Sequence, residues 1–226
     1  MTGVQTCALP IYTLGDFAAV AALGLQPLVL VTGPSKGFKN VGQLIAAAKA
    51  NPGTLNFASG GVGSATHFAA ERFRISAGID AQHIPFRGAT EGLTEIMAGR
   101  VDFYAVPIPT ALSLIKEGKV VALAVSATRR ASVLPDIPTT TELGLTDSAY
   151  LLYAGLYAPA KTERAVVLKI HQEAEKALSD PAVMERMRSI GAEAMSMSQT
   201  EFDRYFRADV EANIKLVKAA NIPIQK

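Results

Sequence analysis

The sequence predicts an α/β fold in which helices cover both faces of a mostly parallel sheet. Four strand-like runs are each followed by a helical pattern within roughly a hundred residues, which is the alternation that produces parallel sheets. Two strand-like runs, Gln26–Thr32 and Val120–Ser126, are apolar throughout, as expected for strands buried on both faces. The chain is 49% hydrophobic with a mean hydropathy of +0.23, so it can bury a core and is not intrinsically disordered.

Apolar runs and turn residues place the elements in the first part of the chain. The expected strands are Gln26–Thr32, Leu55–Ser59, His83–Phe86, Val101–Val106 and Val120–Ser126. Helices are expected between them, where apolar residues recur at helical spacing. Ser64 stands where it can cap the second of these helices.

After Ser126 the pattern changes. Thr128–Pro138 carries Arg, Pro and Asp residues and is expected to be an extended connection. The elements expected after it are a short helix opened by the capping box Thr139–Glu142, an aromatic-rich strand Tyr150–Pro159, and helices beginning at Thr162, at Asp180-Pro181 and at a second capping box, Ser198–Glu201.

Composition excludes several classes of function. The net charge is +2, from 22 basic and 20 acidic residues, and no basic run exceeds two residues, so a nucleic-acid partner is not expected. One cysteine and three histidines without an HExxH motif give no basis for a disulfide, a metal site or another cofactor. No nucleophile–base constellation can be assembled, so the protein is not expected to be an enzyme.

The best local signal for ligand binding is the glycine-rich turn between an expected strand and helix. Glycines let a backbone approach a ligand, and a helix N-terminus offers free N–H groups and a partial positive charge. The turn lacks the lysine of a phosphate-binding loop and the third glycine of a dinucleotide fingerprint. It either binds a carboxylate or phosphate or only reverses the chain. The candidate ligand-binding residues here are Ser59, Gly60, Gly63, Ser64, Thr66 and His67.

Three further candidate ligand-binding residues lie beyond this turn. Arg87 and Gly88 follow the next expected strand, where Arg87 either meets an anionic ligand or is a solvated surface group. Asp102 near the start of another strand either binds a ligand or braces a loop. We expect all of these residues to converge at the carboxyl ends of the strands, where open α/β sheets place ligands. Tyr104 is interpreted as a core residue.

A series of short motifs resembles one family along most of the chain. The motifs are Leu55–Ser64 with His67, Ile84–Gly88, Ala98–Phe103, Gly118–Val125, Leu134–Thr139, Gly155–Pro159 and Ala177–Val183. In this order they resemble the solute-binding receptors of tripartite tricarboxylate transporters, the Bug receptor family. The resemblance covers about residues 15–226.

The resemblance implies a two-lobe, periplasmic-binding-protein-like (type II) fold that closes on a small organic acid such as a dicarboxylate or tricarboxylate. It implies capture in the periplasm and transfer to a membrane permease, without chemistry or a cofactor. It assigns residues 12–32 and 127–226 to a partial lobe 1 and residues 33–126 to lobe 2. The N-terminal part of lobe 1 is expected to be missing, and residues 1–11 are expected to be non-native because they lack the features of a signal peptide or a packed element.

Two alternatives remain open at this point. The effector-binding domain of a LysR-type transcriptional regulator resembles the same two-lobe fold but requires an N-terminal helix-turn-helix and a linker helix. A small α/β enzyme requires a catalytic constellation. A disordered native tail is the alternative for residues 1–11.

Overall fold

The computed structural model describes residues 14–222. These residues form two compact units: Gln26–Leu152, and the segment up to Leu25 together with the segment from Tyr153 onward. Residues 26–32 and 127–152, predicted to be part of lobe 1, belong in the structure to the same unit as residues 33–126. Residues 1–11, expected to be non-native, lie outside the described residues.

The unit Gln26–Leu152 alternates strands and helices as predicted. Its elements are the second half of β1 (Phe17–Thr32), α1 (Val41–Ala50), β2 (Asn56–Ser59), α2 (Ala65–Ala77), β3 (Gln82–Pro85), α3 (Ala89–Met97), β4 (Phe103–Pro107), α4 (Ile108–Lys116) and β5 (Val121–Val125). The strand order is β3-β2-β4-β1-β5. β2 runs parallel to β3 and to β4, whereas β1 is antiparallel to β4 and β5. The carboxyl ends of β2, β3, β4 and β5 therefore lie at one edge of the sheet.

Alternating side chains of β4 pack on the two faces of this sheet. Phe103 contacts Phe73 of α2 and Phe57 of β2, with ring centroids 5.6 and 5.5 Å apart. Tyr104 belongs to the core on the opposite face, which also contains Leu93 of α3. Full burial of each such ring stabilises the fold by about 1.5–3 kcal/mol. The predicted α/β layering is confirmed.

Two predicted helix starts are wrong. The capping box forms at Thr139 and Glu142, whose backbone N–H groups each bond to the other's side chain, but the segment folds into turns instead of a helix. Its backbone is tied to β5, because Thr140 N–H donates to the Val125 carbonyl. Thr162 does not cap the next helix, which begins at Arg164 without a side-chain cap.

Within residues 14–222, the other unit contains three strands and three α-helices. Its elements are the first half of β1, β6 (Leu151–Pro159), α5 (Arg164–Leu178), α6 (Pro181–Ser189), β7 (Glu193–Ala194) and α7 (Gln199–Ala219). β6 and β7 pair with β1, which starts nine residues before the predicted strand, at Phe17 instead of Gln26. The caps Asp180 and Ser198 form as predicted, the second as a capping box. None of the helices in residues 14–222 has the length and apolarity that crossing a membrane requires.

This second unit buries less of its apolar surface. Two clusters of buried residues in this unit contain four residues each, whereas one cluster in the other unit contains sixteen. Nine of the twelve exposed large hydrophobic residues of the described chain belong to it. The fold is therefore stabilised mainly through the unit Gln26–Leu152.

Candidate functional site

Two loops meet at the carboxyl edge of the sheet in the unit Gln26–Leu152. β2 ends at Ser59 opposite Pro85, the last residue of β3, and Phe86 N–H donates to the Ser59 carbonyl at 2.9 Å. A Cβ added at Gly60 would lie 3.8 Å from the Gly88 Cα. The predicted convergence of the glycine-rich turn with the Arg87–Gly88 loop is confirmed.

Side chains of the turn hold its own backbone. Gly60 N–H donates to Thr66 Oγ1 at 2.8 Å, and Gly61 N–H donates to Ser59 Oγ at 3.1 Å. Gly63 N–H donates to His67 Nδ1 at 3.0 Å. These three amides already have acceptors within the chain, so they are not the ones that meet a ligand.

The amides that remain are one in the turn, at Val62, and two in the first turn of α2. Ser64 caps this helix, because its Oγ accepts the His67 backbone N–H at 3.3 Å and also bonds to Thr66 Oγ1 at 3.0 Å. Within residues 14–222, the N–H groups of Val62, Ala65 and Thr66 have no acceptor. Free donors in a helix's first turn, together with the helix dipole, form an anion-binding geometry.

Two glycines of the turn have positive φ angles, in the left-handed region of φ/ψ space. Gly61 has φ +125° and Gly63 has φ +74°. A side chain at such a φ costs about 1–2 kcal/mol, and a β-branched side chain is accommodated least. The conformation that presents the free amides therefore depends on glycine at these positions.

A pair of stacked histidines lies behind the turn. The rings of His67 and His83 are 3.7 Å apart between centroids and nearly parallel, and Phe57 stacks on His83 at 5.1 Å. His83 Nε2 and Ser59 Oγ share a hydrogen bond of 2.6 Å. Burial lowers the pKa of His83 to about 4, and the neighbouring His67 acts in the same direction. His83 is therefore uncharged at neutral pH.

His67 faces the protein instead of the open side of the turn. It is 2% exposed, and its Nε2 lies 3.7 Å from Glu71 Oε1. Burial acts to raise the pKa of Glu71, but the interactions with His67 and Arg74 outweigh burial and hold it below its ordinary value. With both ring nitrogens directed at protein groups, His67 supports the turn from behind.

Arg87 supplies a cation at the same edge. Its backbone N–H donates to Glu91 Oε2 at 3.0 Å, while the side chain is exposed. No carboxylate of the described residues forms an ion pair with its guanidinium. Gly88 follows it and directly precedes α3.

The prediction that Asp102 joins this site is wrong. Asp102 directly precedes β4, which runs parallel to β2, so it lies at the amino edge of the sheet. Its Oδ2 accepts Asn56 N–H at 2.8 Å, and its Oδ1 lies 2.7 Å from Lys36 Nζ. Asp102 thus ties the starts of two strands together at the opposite edge from the turn.

One polar group at the site was missed from the sequence. Tyr104 is fully buried, its ring lies in the core as predicted, and its hydroxyl makes no hydrogen bond. That hydroxyl is 3.8 Å from the position of a Cβ on Gly60. Alternation along the strand indicates which face a side chain joins, but not where the end of a long side chain reaches.

A sequence model of the tripartite tricarboxylate transporter receptor family matches residues 5–222. The chain is 32% identical over 203 residues to a UPF0065 protein from the tcbD-tcbE intergenic region of a Pseudomonas species, covering 89% of this chain and 60% of that protein. It is 30% identical over 185 residues to BugT of Bordetella pertussis, covering 82% of this chain and 57% of BugT. The chain thus spans less than two thirds of the length of these relatives.

Solved structures agree with this match. A Rhodopseudomonas palustris protein solved with adipate has a TM-score of 0.84 and 26% identity, over 92% of this chain and 69% of that one. MatC from the same species, with bound malate, and the periplasmic binding protein BugD each have a TM-score of 0.82 and 25% identity over 92% of this chain, covering 72% of MatC and 71% of BugD. The chain therefore belongs to the Bug receptor family of tripartite tricarboxylate transporters and has the periplasmic-binding-protein fold.

Proposed function

We propose that the protein is a periplasmic receptor that binds a small organic acid and delivers it to the membrane permease of a tripartite tricarboxylate transporter. The observation that carries this proposal is the set of unpaired amides of Val62, Ala65 and Thr66 at the same edge of the sheet as the unpaired Arg87. Support also comes from the family match and from similar proteins solved with adipate and malate. The ligand class is a dicarboxylate, a tricarboxylate or a similar acid.

One carboxylate of the ligand binds to the N–H groups of Val62, Ala65 and Thr66. Hydrogen bonds to a charged group contribute about 1.5–3 kcal/mol each, and the dipole of the 13-residue helix α2 adds to the attraction. Arg87 completes the charge balance from an exposed position, where solvent weakens its attraction. Amide donors of this kind hold an anion firmly and still release it to a permease.

The arrangement of Ser64 and His67 supports binding without catalysis. Ser64 Oγ accepts the backbone N–H of His67, whereas the His67 ring accepts from Gly63 N–H. The imidazole is therefore not placed to take a proton from the serine hydroxyl, as a nucleophile–base pair would require. Of the two alternatives, neither the LysR-type effector domain nor an enzyme gains a supporting observation.

Titration calorimetry of the 226-residue chain with adipate, malate and citrate tests the proposal. Adipamide is the matched control, because it keeps the carbon chain of adipate and lacks its charges. We expect saturable binding of at least one acid and none of adipamide. A folded protein that binds no acid, or binds adipamide as tightly as adipate, contradicts the proposed function.

A further inference from the structure

We propose that the Tyr104 hydroxyl is an additional ligand-binding group, which donates a hydrogen bond to the carboxylate held at the start of α2. This inference rests on the proposed function and deepens it. It assigns a direct role to a residue that the sequence pattern places in the core.

The buried Tyr104 hydroxyl lowers the stability of the fold in the absence of a ligand. Tyr104 is fully buried and its hydroxyl has no hydrogen-bond partner, and a buried donor without an acceptor costs about 1–3 kcal/mol. Phenylalanine would fill the same volume in the core without this cost. A polar group retained in such a position is best explained by an acceptor that arrives with the ligand.

The surrounding residues fix the ring and aim its hydroxyl. A Cβ on Gly92 of α3 would lie 2.9 Å from Tyr104 Cε1, so the glycine leaves the room that the ring needs. At the other end, a Cβ on Gly60 would lie within 4 Å of the Tyr104 hydroxyl, Thr66 Oγ1 and the Gly88 Cα. The Tyr104 hydroxyl therefore lies close to the place where the two loops of the site meet.

The neighbouring threonine is already engaged. Thr66 Oγ1 accepts Gly60 N–H and bonds to Ser64 Oγ. Burial raises the pKa of Tyr104 to about 12, and the nearby Thr66 hydroxyl, which lies outside hydrogen-bond geometry, opposes this rise only weakly. The phenol therefore keeps its proton at physiological pH and can donate it to a group that accepts hydrogen bonds, such as a carboxylate.

The test compares Tyr104→Phe with the unmodified chain by calorimetry with adipate and malate, and by thermal melting without ligand. We expect the affinity to fall about tenfold, equivalent to about 1.4 kcal/mol, while the melting temperature stays the same or rises. Tyr153→Phe, in the other unit, is the matched control and should keep the wild-type affinity.

A Tyr104→Phe variant that keeps its affinity within twofold overturns this inference and leaves the proposed function intact. A wild-type chain that binds neither acid overturns both. If Tyr104→Phe does not fold, Gly60→Ala decides instead, because its methyl group lies 3.8 Å from the hydroxyl without a clash and hinders the approach of a ligand atom to that hydroxyl. Unchanged affinity in folded Gly60→Ala contradicts the inference.

Discussion

Replacing Gly63 by valine separates the ligand-binding role of the turn from its structural role. Gly63 has φ +74°, and its N–H donates to His67 Nδ1. A β-branched residue does not hold this φ, so the turn must rearrange and displace the neighbouring amides of Val62 and Ala65. Gly118→Val is the matched control, because Gly118 has φ +69° and open space around its Cβ position, and it precedes β5 at the opposite edge of the sheet.

The expected magnitudes follow from these contacts. Forcing a side chain into the left-handed region costs each variant about 1–2 kcal/mol, which for a chain of this size lowers the melting temperature by about 2–8 °C. Gly63→Val additionally loses at least two amide bonds to the carboxylate, on the order of 3 kcal/mol or a hundredfold in affinity. Gly118→Val keeps the wild-type affinity.

Circular dichroism melting and calorimetry with adipate or malate measure the two effects separately. The reasoning is refuted if Gly63→Val is folded, is destabilised like Gly118→Val and still binds with wild-type affinity. In that case the glycine-rich turn only reverses the chain, as the alternative interpretation of the sequence holds.

Three further results are expected. Ser64→Ala should weaken carboxylate binding roughly tenfold and destabilise the fold by about 1 kcal/mol. Ser198→Ala, which removes the cap of α7, should show only the loss of stability. If both variants bind the carboxylate with equal affinity, the proposed ligand site at Ser64 is wrong. Asp102→Asn should lower the free energy of unfolding, because it removes the ion pair with Lys36, while affinity stays unchanged; a loss of affinity returns Asp102 to the site. The pKa of His83 falls from 6.5 to about 4 on folding, so between these pH values the unfolded chain binds more protons and the free energy of unfolding declines as pH falls. In urea unfolding at several pH values, His83→Gln should flatten this decline. An unchanged dependence of the free energy of unfolding on pH would refute the lowered pKa of His83.

Local signals made much of the turn predictable. Glycines between an apolar strand and an amphipathic helix indicate a loop at a strand's carboxyl end, and Ser64 carries the side chain that helix caps require. The meeting of this turn with the Arg87–Gly88 loop followed from the expectation that parallel strands place their carboxyl ends at one edge of the sheet. These features depend on residues that are close together in the sequence, so the sequence alone was enough to predict them.

Other features depend on contacts between distant residues. Asp102 was misplaced because it lies at the start of its strand, and the start of a strand that runs parallel to β2 lies at the amino edge of the sheet instead of the carboxyl edge. Which amides of the turn stay unpaired depends on the orientation of His67, and the unsatisfied hydroxyl of Tyr104 depends on the loops above it. No periodicity in the sequence encodes these hydrogen bonds.

Backbone amide shifts during a titration with adipate test the central claim most directly. In ¹H–¹⁵N spectra, the amides of Val62, Ala65 and Thr66 should move downfield together as they gain a carboxylate acceptor, with one common saturation curve. The amides of Asn56 and Asp102, at the opposite edge of the sheet, should stay in place. Shifts confined to Asn56 and Asp102, or saturation without movement of the three amides at the start of α2, would contradict the account.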